Sequence, residues 1–148
     1  MSNLFEKTLN FIFPNLCYVC ETIIQEKNYF RICKKCLEEL ERIKKPVCQI
    51  CGKIFYTSMP EKICSFCKFN KYTFQKCISL GLYRGKFKKF IHQFKFGQHY
   101  SIIQYIIPEL IELINKNFGS YTDYIFTFIP MHPEEKNKRG YNHTEVIV

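Results

Sequence analysis

The sequence lacks the segments that place a protein in or across a membrane. No apolar run approaches the roughly 20 residues of a membrane-spanning helix. The N-terminal stretch carries Glu6 and Lys7 among its apolar residues, and no small-residue cleavage site of a secretory signal follows it. We therefore expect a cytoplasmic protein without a membrane span, in which cysteine thiols stay reduced.

Acidic residues are scarce relative to basic ones. The chain has 13 Asp and Glu against 22 Lys and Arg, a formal net charge of +9. Only four of the basic residues are arginine, and the lysines are scattered along the chain, which disfavours a surface that reads base sequence. The balance favours phosphate-bearing partners, and we predict weak, non-specific binding of single-stranded nucleic acid.

Cysteine, in contrast, is abundant and regularly spaced. Eight of the nine cysteines form four Cys-x-x-Cys pairs, and a constant offset of 31 residues relates the first two pairs to the last two. Each unit reads C-x2-C-x12-C-x2-C. The first unit holds Cys17, Cys20, Cys33 and Cys36, and the second holds Cys48, Cys51, Cys64 and Cys67.

Two Cys-x-x-Cys turns can direct four thiolates toward one metal ion. Zinc is the expected ion, two per chain, and four thiolates leave it no open position for water or substrate. Two bound ions and eight thiolates would bring the net charge to about +5. An iron–sulfur cluster or a single iron is the alternative, whereas a disulfide framework does not suit reducing surroundings. We predict one ion per unit, with an interleaved pairing left open.

The segments around the cysteines predict short elements. An amphipathic helix is expected over residues 4–13, hairpins are expected between the cysteine pairs, and Gly52 suits a tight turn. The charge order of residues 37–45 predicts a short helix. We divide the chain into an N-terminal helix (1–16), a double zinc ribbon (17–70) and a third part (71–148), with residues 68–75 as a polar joint.

Beyond the joint, strand and helix patterns alternate. We predict a strand over residues 76–83, with Cys77 as a small buried residue, and helices over 87–94 and 101–116, the second kinked or restarted by Pro108. The aromatic stripe of the first of these helices is expected in the core, and its lysine face is the expected nucleic-acid surface. A continuous apolar run over 124–129 is typical of a strand buried on both faces of a parallel sheet. A basic loop should follow, with Thr144 capping another helix.

Four motifs, in this order, resemble the competence protein ComF family: a helix leading into FPNLCYVC, the double zinc ribbon, YRGKFKKFIHQFKFG, and an apolar strand leading into IPMHPEEKNKRGYN. The resemblance implies a double zinc ribbon followed by a domain similar to type I phosphoribosyltransferases, which has an α/β, Rossmann-like fold with a parallel sheet. It also implies a role in DNA uptake during natural competence, together with DNA-processing proteins such as a helicase.

The resemblance assigns the loop after the apolar strand to the diphosphate of phosphoribosyl diphosphate. The candidate residues are Lys138, Arg139, Gly140 and Asn142, from the family's arginine-glycine-aromatic-asparagine motif. A second motif of the family matches residues 95–97. Positive side chains and backbone N–H groups at a strand end suit a diphosphate. His143 and Ile129 stand where the family usually has glutamine and valine.

The family's acidic stretch, two aspartates followed by threonines and a glycine, is absent from the sequence. A type I-like site needs that stretch as well as the basic loop, because ribose and diphosphate are held from opposite sides with Mg²⁺ between them. We therefore expect a truncated ComF-like protein that is inactive alone, in which residues 71–148 form an incomplete phosphoribosyltransferase-like domain, and we identify no catalytic residue. Mg²⁺ with phosphoribosyl diphosphate is expected only in a complete relative. The alternative is a stand-alone zinc-ribbon module that recruits nucleic acid or a protein partner.

Overall fold

The computed structural model describes residue 8 and residues 11–24, 31–44, 46–56 and 62–148. Its helices are α1 (Lys34–Glu38), α2 (Ser65–Phe69), α3 (Gly85–Phe96), a 3-10 helix (Tyr100–Tyr105), α4 (Ile107–Phe118), a 3-10 turn (Tyr121–Asp123), α5 (Pro133–Arg139) and α6 (His143–Ile147). Of the helix predicted over residues 4–13, Thr8, Phe11 and Ile12 are helical, and residues 4–7, 9 and 10 lie outside the described residues. In the described part of the chain, no helix is both long and apolar enough to cross a bilayer.

The 31-residue sequence repeat is also a repeat of the backbone. An antiparallel bridge joins Leu16 to Ile23 in the first unit, and its equivalent 31 residues further joins Val47 to Ile54. α1 and α2 likewise start directly after the third cysteine of their units. Each unit therefore has a hairpin, made by one bridge, that encloses its first cysteine pair. Residues 25–30 and 57–61, which belong to the segments between the pairs where hairpins were predicted, lie outside the described residues.

The helices predicted beyond residue 85 are confirmed. In α3, Phe87, Phe90 and Phe94 are buried, so the aromatic stripe belongs to the core, as expected from its helical spacing. The isoleucine-rich segment is divided where Pro108 lies in the first turn of α4, a position at which the missing N–H of proline costs nothing. A 3-10 helix precedes that restart, and Gly119 (φ 93°) ends α4.

No parallel sheet forms among the described residues, so the predicted Rossmann-like domain is not supported. Residues 76–83 contribute one bridge, from Gly81 to Arg42, and residues 124–129 contribute none. Ile125 is 99% exposed, the opposite of the burial that we expected. A strand needs neighbours to pair its backbone N–H and C=O groups, and no described segment forms a bridge with residues 124–129.

The helix predicted over residues 37–45 is also largely wrong: of its described residues only Leu37 and Glu38 are helical, and Lys45 lies outside the described residues. α1 begins earlier, at Lys34, and ends at Glu38. Three of the charged residues that follow pair instead with more distant parts of the chain. These pairs are Glu39–Lys86, Glu41–Arg84 and Arg42–Glu109.

Two further expectations are corrected beyond the second unit. Cys77 is exposed rather than buried; its backbone N–H donates to the Ile50 carbonyl at 2.7 Å, so backbone contacts hold this position and the thiol is not needed for packing. The basic loop is largely helical, as α5 and α6. Asn142 rather than Thr144 caps α6, because the Asn142 side chain accepts the Thr144 N–H at 3.1 Å.

One hydrophobic core joins the first cysteine unit to the later helices. Its buried members are Cys17, Val19, Ile32, Cys36 and Leu40 from the first unit, Phe87, Phe90 and Phe94 from α3, and Ile102, Ile103 and Ile106 from the 3-10 segment. This core crosses the boundary that we predicted after residue 70. The second unit instead surrounds a small separate cluster of Cys48, Cys64 and Cys67.

Arg42 links the first unit to α4. Its Nε donates to Glu109 Oε2 at 2.7 Å, its Nη2 donates to Glu109 Oε1, and its Nη1 donates to the Leu37 carbonyl at 2.6 Å. Both charged side chains are partly buried. Bidentate, charge-assisted bonds in such surroundings are among the stronger polar interactions of a protein.

We expect Arg42→Met to lower the free energy of unfolding by about 1.5–3 kcal/mol, because Glu109 and the Leu37 carbonyl lose a charged donor. The urea midpoint of the zinc-loaded protein measures this change. Lys34→Met is the matched control: the Lys34–Glu38 pair spans 3.9 Å and is mostly exposed, so its loss should cost less than about 0.5 kcal/mol. Equal effects would show that the Arg42 pair is no stronger than a surface pair.

Candidate metal centres

The eight paired cysteines form two clusters of four. The first consists of Cys17, Cys20, Cys33 and Cys36, and the second of Cys48, Cys51, Cys64 and Cys67; within each, the Sγ atoms all lie within 4.8 Å of one another. None of them is in a disulfide. Each cluster is drawn from a single unit, so the units are not interleaved in this structure.

The turn in the first Cys-x-x-Cys pair of each unit is followed by a left-handed residue. Glu21 (φ 62°) and Gly52 (φ 72°) are equivalent, and their N–H groups donate to the carbonyls of Cys17 (2.8 Å) and Cys48 (2.9 Å). Glycine adopts this conformation readily, whereas a residue with a side chain does so at a cost. Gly52 is restricted further, because a Cβ there would lie 2.9 Å from the Cys77 carbonyl oxygen.

A helix start presents the last two cysteines of each unit. Cys33 is the N-cap residue of α1 and Cys36 lies inside the helix, and this spacing of three residues places them on one side. The Cys33 N–H also donates to Cys17 Sγ at 3.4 Å, and the Cys64 N–H donates to Cys48 Sγ at the same distance. Such N–H donors stabilise a thiolate.

The spacing of the sulfur atoms fits a bound metal ion. Three of the Sγ–Sγ distances are 3.7 Å (Cys20–Cys33), 3.7 Å (Cys48–Cys67) and 3.8 Å (Cys51–Cys64), and none within a cluster exceeds 4.8 Å. Four sulfurs at the zinc–sulfur distance of about 2.3 Å form a tetrahedron with an edge of about 3.8 Å. A disulfide would bring two sulfurs to about 2.05 Å. Each cluster could therefore hold one zinc ion.

The pKa values of the thiols within a cluster are spread apart. Burial acts to raise the pKa of Cys20, but hydrogen bonds with Thr22 and neighbouring thiols outweigh it and bring the pKa from 9.0 to about 6. Burial and hydrogen bonds with neighbouring thiols raise the pKa of Cys36. In the second cluster, backbone donors outweigh burial and bring the pKa of Cys48 to about 6, whereas burial and the neighbouring thiols raise the pKa of Cys67. Ionising one thiol makes the next harder to ionise, and a divalent cation would offset that repulsion.

The candidate diphosphate residues lie at the junction of α5 and α6. Lys138 is exposed and pairs with Glu135 at 3.3 Å. Gly140 (φ 85°) ends α5 in the left-handed conformation. Asn142 is buried, and its side chain amide donates to the Ile129 carbonyl at 3.1 Å while its oxygen caps α6. Gly140 and Asn142 thus have local structural roles.

Arg139 lies beside the second stretch that resembles the family, residues 95–97. Its guanidinium is 4.7 Å from the centroid of the Phe96 ring, and its Nη1 is 3.0 Å from Nδ1 of His143. Burial, followed by the positive charges of Lys95 and Arg139, lowers the pKa of His143. The structure therefore brings the two stretches together in a basic setting, and diphosphate binding there stays a prediction.

Two closed four-cysteine clusters, each built from a hairpin turn and a short helix, define a zinc-ribbon type of module. The sequence model of the double zinc ribbon domain family matches residues 8–68, which contain all eight clustered cysteines. This part of the chain is therefore a double zinc ribbon module. No curated protein matches the chain, and no solved structure matches it.

One surface of the second unit was not predicted from the sequence. Residues 68–75, which we took as a polar joint, contain exposed aromatic residues next to α2. A comparison of the two repeat units could have identified this surface, because the 31-residue offset aligns Phe66 and Phe69 with Lys35 and Glu38. Aromatic and charged residues at equivalent places indicate different surroundings or different roles.

Elemental analysis should find two zinc ions and no iron per chain. We expect Cys36→Ser to reduce the content to about one ion by disabling the first cluster, and Cys67→Ser to do the same at the second, because each ion contributes roughly 10 kcal/mol to its own site. Cys77→Ser is the matched control, since Cys77 belongs to neither cluster, and it should keep both ions. Loss of both ions in Cys67→Ser would contradict independent sites.

Proposed function

We propose that this protein is a non-catalytic binding module, in which two zinc ions maintain the double ribbon and a basic surface binds single-stranded nucleic acid. One observation carries the structural role of the metal: both clusters are closed sets of four cysteines. A zinc ion with four thiolate ligands has no open position at which water or substrate could be activated. The metal ions therefore stabilise the fold and take no part in a reaction.

Zinc would matter most to the second ribbon. Its buried apolar cluster consists of three cysteines, with Ile50, Phe55 and Ile63 packed against them. So small a cluster contributes little hydrophobic stabilisation, and small modules of this kind depend on their metal ion to fold. Removing zinc should therefore disorder this ribbon and any binding surface that it carries.

The charge of the protein supports a nucleic-acid partner. The formal net charge is +9, and it stays at about +5 after metal binding. On α3, Lys86 is paired with Glu39, whereas Lys88 and Lys89 are exposed. Scattered, exposed lysines attract the phosphate backbone without reading base sequence.

We expect the zinc-loaded protein to bind a fluorescent dT20 oligonucleotide with an affinity that falls about tenfold or more between roughly 50 and 200 mM salt, because binding releases counterions. Fluorescence anisotropy measures this, and zinc-stripped protein is the control. An affinity that does not change with salt, or a strong preference for one base sequence over dT20, would contradict the proposal.

A second candidate is the ComF-like function, in which the chain is part of a phosphoribosyltransferase-type protein that handles DNA during competence with partners such as a helicase. A specific observation favours it. Residues 124–129 are apolar and exposed and form neither a helix nor a strand, and Phe126 lines a cavity of about 270 Å³ with Ile111 and Ile114 of α4. An apolar segment and a half-covered helix are what a sheet with further strands would bury.

For this second candidate, we expect the chain alone to transfer no phosphoribosyl group, because the acidic stretch that holds the ribose is absent from the sequence. Calorimetric titration of phosphoribosyl diphosphate with Mg²⁺ and an assay for released diphosphate test this. Arg139→Ala serves as the comparison: weak binding at the basic junction should decrease in this variant. Turnover by the wild-type chain would show that the site is complete without the acidic stretch.

A further inference from the structure

We infer that the second ribbon binds single-stranded nucleic acid through exposed aromatic rings on which the bases stack. The inference rests on the proposed function and places binding away from the lysine face of α3. The surface, here called the aromatic surface, consists of α2 and the segment that follows it. Its members are Phe66, Lys68, Phe69, Lys71, Tyr72 and Phe74.

The aromatic surface is open to solvent, and three of its four rings lie against one another. Phe69 is 87% exposed and Phe66 is 54% exposed. The rings of Tyr72 and Phe74 stack with centroids 4.6 Å apart, and those of Phe66 and Tyr72 lie 6.0 Å apart. Large exposed aromatic residues that touch one another are unusual on a protein surface unless something binds there.

The first ribbon shows that the fold does not need these aromatic residues. Lys35 and Glu38 occupy the places of Phe66 and Phe69 in the first unit, and both are exposed. The two units share their hairpin bridges, their short helices and their cysteine clusters. Charged residues therefore suffice at these positions for the ribbon to form, and the phenylalanines of the second unit call for another explanation.

A second exchange, on the side of the ribbon formed by the last turn of the helix and the residues just beyond it, points the same way. Leu37 and Leu40 of the first unit pack into the main core, and their equivalents in the second unit are Lys68 and Lys71, which are exposed. The first ribbon thus uses this side to dock on the body of the protein. The second ribbon presents it to solvent with positive charge.

The combination of rings and lysines favours nucleic acid over the other possible occupants. Aromatic rings stack with bases of any sequence, and lysines between them contact phosphates. An apolar protein surface would gain nothing from Lys68 and Lys71. A second copy of this chain, related by a two-fold axis, would bring the same lysines toward one another, at a cost in repulsion.

The test is a substitution that adds charge while it removes stacking. Phe66→Lys with Phe69→Lys raises the net charge by two, so a purely electrostatic interaction with dT20 would become tighter. We expect instead that the affinity for dT20, measured by anisotropy, falls about tenfold or more, because stacking is lost at two rings. Binding of inorganic polyphosphate, which has no bases, should stay equal or become tighter. A zinc content of two per chain shows that the variant is folded.

A conservative variant supplies a direct signal. The chain has no tryptophan, so Phe69→Trp introduces a single indole whose fluorescence reports on this surface. It should bind dT20 about as tightly as the wild type, and its emission should be quenched on binding because a base stacks on the ring.

Lys88→Ala with Lys89→Ala on α3 is the matched control and should weaken dT20 binding less than the phenylalanine substitutions do. If the α3 variant loses binding and the phenylalanine variant keeps it, the aromatic surface is the wrong place, although the proposed function stands. Failure of the wild type to bind dT20 at low salt overturns both. Concentration-dependent dimers that the phenylalanine substitutions abolish, without dT20 binding, would identify a second copy as the occupant.

Discussion

Four thiolates cannot share one small volume unless a cation lies among them, and this constraint governs the N-terminal half of the protein. Within each cluster, the sulfurs lie within 4.8 Å of one another, and the pKa of Cys20 is lowered while that of Cys36 is raised. The left-handed turns, the helix starts and the N–H donors to sulfur all serve to hold the sulfurs at that spacing. A bound metal ion would replace this repulsion with attraction and hold the hairpin against the helix.

The four-cysteine cluster is packed differently in the two units. Cys17 and Cys36 lie in the main core with Phe90 and Ile102, so the first four-cysteine cluster and the packing of α3 support each other. The second centre has few apolar neighbours. A bound metal ion would therefore connect the first ribbon to the body of the protein, whereas the second ribbon has few apolar contacts apart from its cysteine cluster.

Local patterns were predicted from the sequence, and patterns that depend on distant partners were not. The cysteine groups and α3 follow from spacing alone, as does the restart of a helix at Pro108. The apolar run of residues 124–129 shows that the segment suits a sheet, but a strand forms only where neighbours supply the backbone partners. The helix expected over residues 37–45 failed for a related reason, because Glu41 and Arg42 pair with residues far along the chain.

The repeat helps to separate what the fold requires from what the surroundings require. Positions that stay alike in both units, such as Val19 with Ile50 and Ile32 with Ile63, pack beside the clusters and are required by the ribbon itself. Positions that are apolar in one unit and charged in the other, such as Leu40 and Lys71, reflect the different surroundings of the two ribbons. Because the ribbon forms with either an apolar or a charged residue at such a position, the exchange must reflect a difference in what surrounds each ribbon beyond its cysteine cluster. The exposed rings of α2 belong to this second group, and for that reason they are better explained by a partner than by folding.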